Sequence, residues 1–382
     1  MADIFGVQVV RGVDYKANLE LFGTTVTAVV GTADTADAAT FPYNTPVLVS
    51  TDRARIGLLG DAGELKRTVE ALLREASHHV IVIRVPYDAI ELTQADFITG
   101  GTDAVTGEKT GLVALETCES VVFLRPSTII CPTFSKDPNI SAVMVSVAEK
   151  LGATVFIDSI GTNNAEIIAQ RNAITSKKAT VVEGYGYFYD NSVKIDIEPS
   201  TYYAGALAKG ISLYGEQRSP SNIEITGISG VNKSVDYLDN DPTCASNLLN
   251  ANDIGVITNI NGIFKTKGNR NCAGTFIAVE RIHTIIDRNI NNINQIIVDA
   301  GIGANYADTV ISKVNILLEE ATNNGLIFGG SCRLNGTLNT QATMSQGIVY
   351  FDVEFTPIYP AEKVIFTTYT TADRLNNLLG DA

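Results

Sequence analysis

The sequence predicts an α/β fold, α+β over the whole chain, and three observations carry that prediction. β-branched apolar runs alternate with amphipathic stretches from Thr24 to about Gly184. The composition then changes after Tyr185, becoming first aromatic and then rich in Ser, Asn, Asp and Gly. Two long periodic stretches follow, residues 276–300 and 304–323. Apolar strands separated by helices imply a largely parallel sheet covered on both faces. The later stretches imply a helix-rich C-terminal domain.

The elements follow in chain order. In residues 4–10, Val7 and Val9 flank Gln8, an alternation that suits a strand. With no neighbour in sequence, it is either an edge strand of the chain's own sheet or an arm given to another subunit. Residues 26–30 and 46–49 read as strands. Residues 63–79 read as a helix, because Leu65, Val69, Leu72, Leu73 and Ala76 recur at spacings of three and four. Residues 80–85 form an apolar strand ended by Pro86, and 129–131 another stopped by Pro132. A helix over 141–151 ends at Gly152, with a strand at 154–157, a helix at 163–176 and a strand at 180–183. Residues 88–111, holding Gly100, Gly101, Gly107 and Gly111, read as a loop or small insertion. A short helix is expected at 112–119.

Beyond Tyr185 a strand is expected at 194–198 and a Ser/Thr-capped helix at 200–214. Residues 219–253 read as irregular. Residues 254–264 read as two strands around Asn261-Gly262, a favoured hairpin turn. The helix over 276–300 carries Ile282, Ile285, Ile286, Ile290 and Ile293. The one over 304–323 carries Val310, Val314, Leu317 and Leu318, with Gly325 as its C-cap. Residues 332–339 and 347–357 read as strands, and 363–371 as a last β-rich piece.

Composition narrows the function. The 382 residues hold 28 Lys and Arg against 42 Asp and Glu, a formal charge of −14. Such a chain lacks the basic footprint of a nucleic-acid binder and has no attraction to anionic lipid. The five cysteines form no CxxC, so they read as reduced thiols of a cytoplasmic product. The start of the chain shows no secretion signal, and no apolar run is long enough to cross a membrane.

Motifs for catalysis fail one after another. TGEKTG places Glu108 between Gly107 and Lys109, whereas a phosphate-binding loop needs the lysine directly after glycine. Residues 226–230, TGISG, miss one residue of GxSxG. His78 and His79 stand at a helix end, where a cation suits the dipole. His283 lies on a long helix without a ligand partner in sequence. Asp239-Asn240-Asp241 lacks the glycine and distal glutamate of a calcium loop. Asp158, at a strand end, reads as a helix cap. No catalytic constellation and no cofactor or metal site is expected, and the chain reads as a non-enzyme.

The order of segments resembles the contractile tail sheath proteins of myoviruses, in the branch of temperate enterobacterial phages and R-type pyocins. Six collinear stretches carry the resemblance. They are Ile4-Phe-Gly-Val-Gln-Val9, residues 25–50, DAVTGEKTGLVAL at 103–115, RPSTIICP at 125–132, residues 252–281, and residues 347–360. Two features depart from it. The chain has no tryptophan, with Phe264 where the strand pair often carries one, and it has only Ser219-Pro-Ser-Asn222 for a Trp-x-x-Pro-Ala-Asn segment.

The resemblance implies a helical homopolymer with six starts around a tail tube, contracting to drive the tube through a bacterial envelope. It implies a tube protein, a baseplate and a tail terminator as partners, with no direct contact to nucleic acid or membrane. The location would be the virion tail or a pyocin-like particle, assembled in the host cytoplasm.

On this reading Ile4, Val7, Val9 and Val10 belong to an N-terminal arm (1–22), and Val364, Ile365, Phe366 and Tyr369 to a C-terminal arm (361–382). Val349, Phe351, Val353 and Phe355 form the receiving strand, and Lys313 marks a helix facing the tube. The body divides into 23–87, an outward-projecting 88–185 that includes the rest of the α/β region, and a C-terminal sheath domain over 186–360. Two alternatives are a doubly wound α/β enzyme with an unrecognised site, and another self-assembling tube or shell protein.

Overall fold

A computed structural model describes residues 25–161, 163–238, 241–297, 301–303 and 305–372. The strands are β1 (Val26–Thr32), β2 (Pro46–Leu48), β3 (His79–Val85), β4 (Thr128–Ile130), β5 (Thr154–Asp158), β6 (Ala179–Glu183), β7 (Gly186–Asp190), β8 (Val193–Ile197), β9 (Gly230–Val231), β10 (Gly255–Ile260), β11 (Ile263–Lys267), β12 (Ile327–Leu334) and β13 (Phe351–Pro357). The α-helices are α1 (Arg53–Gly57), α2 (Leu65–Glu75), α3 (Glu91–Thr99), α4 (Cys118–Val122), α5 (Pro138–Leu151), α6 (Asn164–Asn172), α7 (Pro199–Tyr214), α8 (Ala245–Asn250), α9 (Ile277–Ile297), α10 (Tyr306–Asn323) and α11 (Gln341–Ser345).

Eight strands make one sheet in the order β11-β10-β6-β5-β4-β1-β3-β2. The run from β10 to β3 is parallel throughout, and β11 and β2 close the ends as antiparallel edges. All seven residues of β1 are buried. Its side chains alternate between two cores. Val26, Ala28 and Val30 join Ile81, Ile83 and Val85 on one face, while Val29 joins Val80 and Val82 on the other. That two-residue alternation inside wholly apolar strands is what a sheet sandwiched between helix layers requires.

The first face is covered by α5 through Ile140, Met144, Val147 and Ala148. The second is covered by α2 through Val69 and Leu72, and by α7 through Tyr203 and Leu207. Gly205 allows α2 and α7 to touch, because a Cβ there would lie 2.8 Å from the Glu75 side chain. The hairpin turn stands at Asn261 (φ 54°) and Gly262 (φ 85°), the left-handed pair that the Asn-Gly sequence favours.

Helix α9 links this body to a smaller module. Near its start Ile277 sits in the second core, and Arg281 forms a buried ion pair with Glu216. The Arg288 guanidinium donates to the carbonyls of Leu151 (2.7 Å) and Pro126 (3.0 Å). Farther along, Ile282, Ile286 and Ile293 pack with Val310, Val314, Leu317 and Leu318 of α10. The antiparallel pair β12–β13 closes that third core through Ile327 and Cys332, with Phe351, Val353 and Phe355 half-buried against it.

Three expectations need correction. Residues 88–111 contain the helix α3, hidden because only Gln94 and Ile98 of it are buried, which leaves no periodic apolar face. The strand expected at 332–339 is Ile327–Leu334. A register shift between Ile327 and Gly329 masks its alternation, and the Asn335 side chain ends it by accepting the N–H groups of Thr337 and Leu338. Residues 88–185, expected both to project outward and to hold the rest of the α/β region, contribute strands to the main sheet. Their strands β4, β5 and β6 lie inside the sheet, and β10 and β11 extend it past residue 186, so the boundary expected from composition cuts through one core. Residues 363–371 form no strand. A strand needs a neighbouring strand, and none of the described strands runs beside them.

Candidate assembly surface

A chain that builds polymers should show unsatisfied backbone edges, exposed apolar side chains and no need of chemistry. The C-terminal module shows the first two. In the described residues β12 pairs only with β13 and β13 only with β12, so no third strand lies along either outer edge, although on β12 the Cys332 N–H is taken by the Asn315 side chain. Such edges invite a strand from another chain.

The side chains of this sheet are already placed. Val353 and Phe355 turn inward, where the Phe355 ring lies 4.6 Å from that of His283. The Cys332 N–H is held by the Asn315 side chain at 2.7 Å. Arg333, on the outer face, pairs with Asp352 and Glu354. What remains open is backbone, along the edges. Val349 lies before β13, and the adjoining Tyr350 is fixed instead by Asn339, which binds both its N–H (2.9 Å) and its C=O (2.8 Å). Of the four expected receiving residues, the structure brings Phe351, Val353 and Phe355 into one strand and leaves Val349 outside it.

From residue 361 the chain is exposed. Val364, Ile365, Phe366 and Tyr369 are 64%, 74%, 85% and 86% exposed. Four large apolar side chains this bare within six residues form a patch of the kind that marks an interaction segment. The N-terminal candidates Ile4, Val7, Val9 and Val10 lie outside the described residues. Lys313 is half-exposed on α10, beside outward positions held by Asp308, Ser312, Ile316 and Glu319.

The strongest place for chemistry is the C-terminal end of the parallel strands, where doubly wound enzymes bind ligands. Here it holds buried carboxylates. Glu64 accepts the backbone N–H and the hydroxyl of Thr32. Asp158 accepts the Ser135 hydroxyl and the Ser200 N–H, both at 2.8 Å, and so caps the start of α7 as expected. Glu198 accepts from Arg67 (2.8 Å) and Thr133 (2.5 Å), and Glu183 from Ser159. Burial, with the charge of Glu198 adding to it, pushes Glu64 and Asp158 up to about 7. These groups tie loops and helix starts to strand ends, and each hydrogen bond is local to that task. Among the described residues no three His, Cys, Asp or Glu side chains are grouped to hold a metal.

The remaining motifs are structural as well. The TGEKTG turn is a surface loop in which Lys109 pairs with Glu116 at 2.5 Å. Ser229, in the TGISG stretch, donates its N–H to the Tyr187 carbonyl. Asp239 and Asn240 lie outside the described residues, and Asp241 binds Thr243. His78 corrects its expectation. It is half-buried between Thr27 and the Ala76 carbonyl, and burial lowers its pKa, which works against a cation at the end of α2.

Comparison with known proteins decides between the readings. Residues 273–371 match the phage tail sheath C-terminal domain. That span holds α9, α10 and the β12–β13 sheet and runs on into the exposed tail. The chain is similar over nearly its whole length to phage tail sheath proteins.

This sheath chain is 28% identical to the major tail sheath protein of Serratia phage KSP20 over 383 residues, 97% of this chain and 96% of that one. It is 26% identical to the tail sheath protein of Escherichia phage P2 over 392 residues, 98% and 97% of the two chains. In fold it resembles the helical sheath of the anti-feeding prophage in its contracted state, with a TM-score of 0.69 at 14% identity over 97% of this chain and all of that one. The family is structural, and the α/β architecture expected from the sequence agrees with that likeness.

Proposed function

We propose that this structural sheath subunit polymerises helically, with six starts, around a tail tube, and contracts to drive the tube through a bacterial envelope. One observation carries the way its subunits join. A bare apolar segment, Val364 to Tyr369, leaves a module whose two-stranded sheet has no third strand along either edge. An extended segment that adds to the edge of a neighbour's β12–β13 sheet satisfies both needs at once. Its backbone groups gain partners and its side chains leave water. Ile4, Val7, Val9 and Val10 are proposed to do the same from the other end of the chain.

Such links keep subunits connected while their bodies rotate as rigid units. The work of contraction then comes from extra surface buried between bodies, at roughly 25 cal/mol per Å² of apolar area, multiplied over many copies. No cofactor or nucleotide enters the stroke. Lys313 on α10 is the proposed contact to the tube protein. The baseplate and a tail terminator are the proposed partners at the two ends, in a virion tail or pyocin-like particle assembled in the host cytoplasm.

Sedimentation and negative-stain microscopy test this. The full chain should form long tubes. Removing residues 364–382, or Met1 to Gly12, should leave monomers with an unchanged circular-dichroism spectrum and thermal transition. Normal tubes from either truncation would refute arm exchange. A small closed oligomer in place of tubes from the full chain would favour the enzyme alternative.

A further inference from the structure

Between Pro357 and the exposed tail, residues 358–363 form a strap, and the structure shows how it is fastened. Ile358 donates its N–H to the Leu326 carbonyl at 3.1 Å. Four residues on, the Glu362 carboxylate meets the Arg270 guanidinium in a two-pronged pair, with Nε–Oε1 at 2.9 Å and Nη2–Oε2 at 2.7 Å. Arg270 is fixed beforehand by its own loop. Its Nη1 donates to the Gly274 carbonyl at 2.6 Å, and its guanidinium carbon stands 4.3 Å above the Phe276 ring. Phe276 in turn meets Tyr359 of the strap edge-on, with centroids 6.2 Å apart. A guanidinium whose orientation is already set gives up little freedom when it takes a carboxylate.

Elsewhere the strap stands off the body. A cleft of about 820 Å³ separates them, lined on the body side by Tyr214, Arg218, Asn250 and Lys267. The last of these strap contacts is at Glu362, and the bare apolar run begins two residues later at Val364.

We propose that Arg270 is a positioning residue for the C-terminal arm: by clamping Glu362 it holds residues 358–362 on the body and makes Lys363 the pivot of the exchanged segment. This rests on the reading of that segment as an exchanged arm. The physical gain is in effective concentration. A tether that pivots at residue 363 explores less space than one that is free from 358, so it finds the neighbour's sheet edge more often.

The test uses the full-length chain and two readouts. The first, on unassembled protein, is the rate at which Lys-C cuts after Lys363 and frees residues 364–382, since cleavage needs the strap to lift. The second is the rate of tube growth by light scattering. Arg270→Gln and Glu362→Gln should each raise the cleavage rate about 5-fold, the ratio equivalent to about 1 kcal/mol for a half-exposed pair. They should slow tube growth about 2- to 5-fold and leave the thermal transition in place. The double exchange Arg270→Glu with Glu362→Arg should restore both rates.

Unchanged cleavage in both single variants overturns the clamp. Faster cleavage with unchanged tube growth overturns the positioning role. If the chain lacking 364–382 still forms tubes, the arm reading itself fails and the positioning role with it. The cleavage rates then still report whether Arg270 fastens the strap.

Discussion

In the eight-stranded sheet, β1 lies between β3 and β4 and is buried at all seven positions, and helices cover both faces. In the two-stranded sheet, β13 has one neighbour; Phe351, Asp352 and Val353 are half-buried, and exposed and half-buried residues then alternate until Pro357. The first sheet ends in the short antiparallel strands β2 and β11. The second has only two strands and lies beside an apolar tail. On the proposed reading the body folds to completion alone, whereas the C-terminal module is completed by other chains. A subunit that must stay rigid while its connections bend profits from that division.

The largest effect that could break this comparison concerns assembly. Loss of 364–382 should convert tubes to monomers while the body unfolds as before. The next concerns cores. Phe156, fully buried against Tyr203 with ring centroids 5.6 Å apart, sits at the centre of the large sheet. Phe156→Ala should cost about 3–5 kcal/mol in urea unfolding of the monomer. Phe355→Ala, at a half-buried position of the small sheet, should cost about 1–2 kcal/mol in the same assay. Equal costs would mean that the module is as finished as the body.

A third effect is confined to the body. Glu64 and Asp158 have folded pKa values raised to about 7, well above their usual range, chiefly by burial. A raised carboxyl favours the protonated folded state. Its contribution is therefore fully present below about pH 4 and is lost as pH rises through about 7. The monomer should be less stable at pH 8 than at pH 5, by of the order of 1 to 3 kcal/mol. Glu64→Gln and Asp158→Asn should flatten that slope. A stability that rises from pH 5 to pH 8 in the wild-type monomer would contradict these environments.

The sequence showed some of this plainly and hid the rest for physical reasons. β1 and β3 were legible because a strand buried on both faces is written as an unbroken β-branched run, as in Val80 to Ile83. The hairpin at Asn261-Gly262 was legible because few sequences tolerate two left-handed residues in succession. Helix α3 was not, since a helix lying on the surface with two buried residues has no period to read. The extent of the body was missed because a change in composition at Tyr185 marks a change in surface, whereas the sheet is joined through β6 and β10, far apart in sequence. At the assembly surface the exposed segment from Val364 to Tyr369 was visible as an apolar run with nowhere to go. Its fastening was not visible, because Arg270 and Glu362 are 92 residues apart and neither lies in a motif.

The smallest effect sharpens the comparison from the outer face of the small sheet. Arg333 reaches Asp352 at 3.6 Å and also pairs with Glu354, yet its side chain is 60% exposed. An ion pair this wet is offset by side-chain ordering and screened by salt, so Arg333→Ala should change monomer stability by less than about 0.5 kcal/mol. Tube formation is the more telling measurement. If open backbone edges join the subunits, a side chain on the face of the sheet can be lost with little effect on growth, and raising the salt should matter as little. If Arg333→Ala stopped tubes as completely as removing 364–382, the joining surface would be the face of the β12–β13 sheet and not its edges.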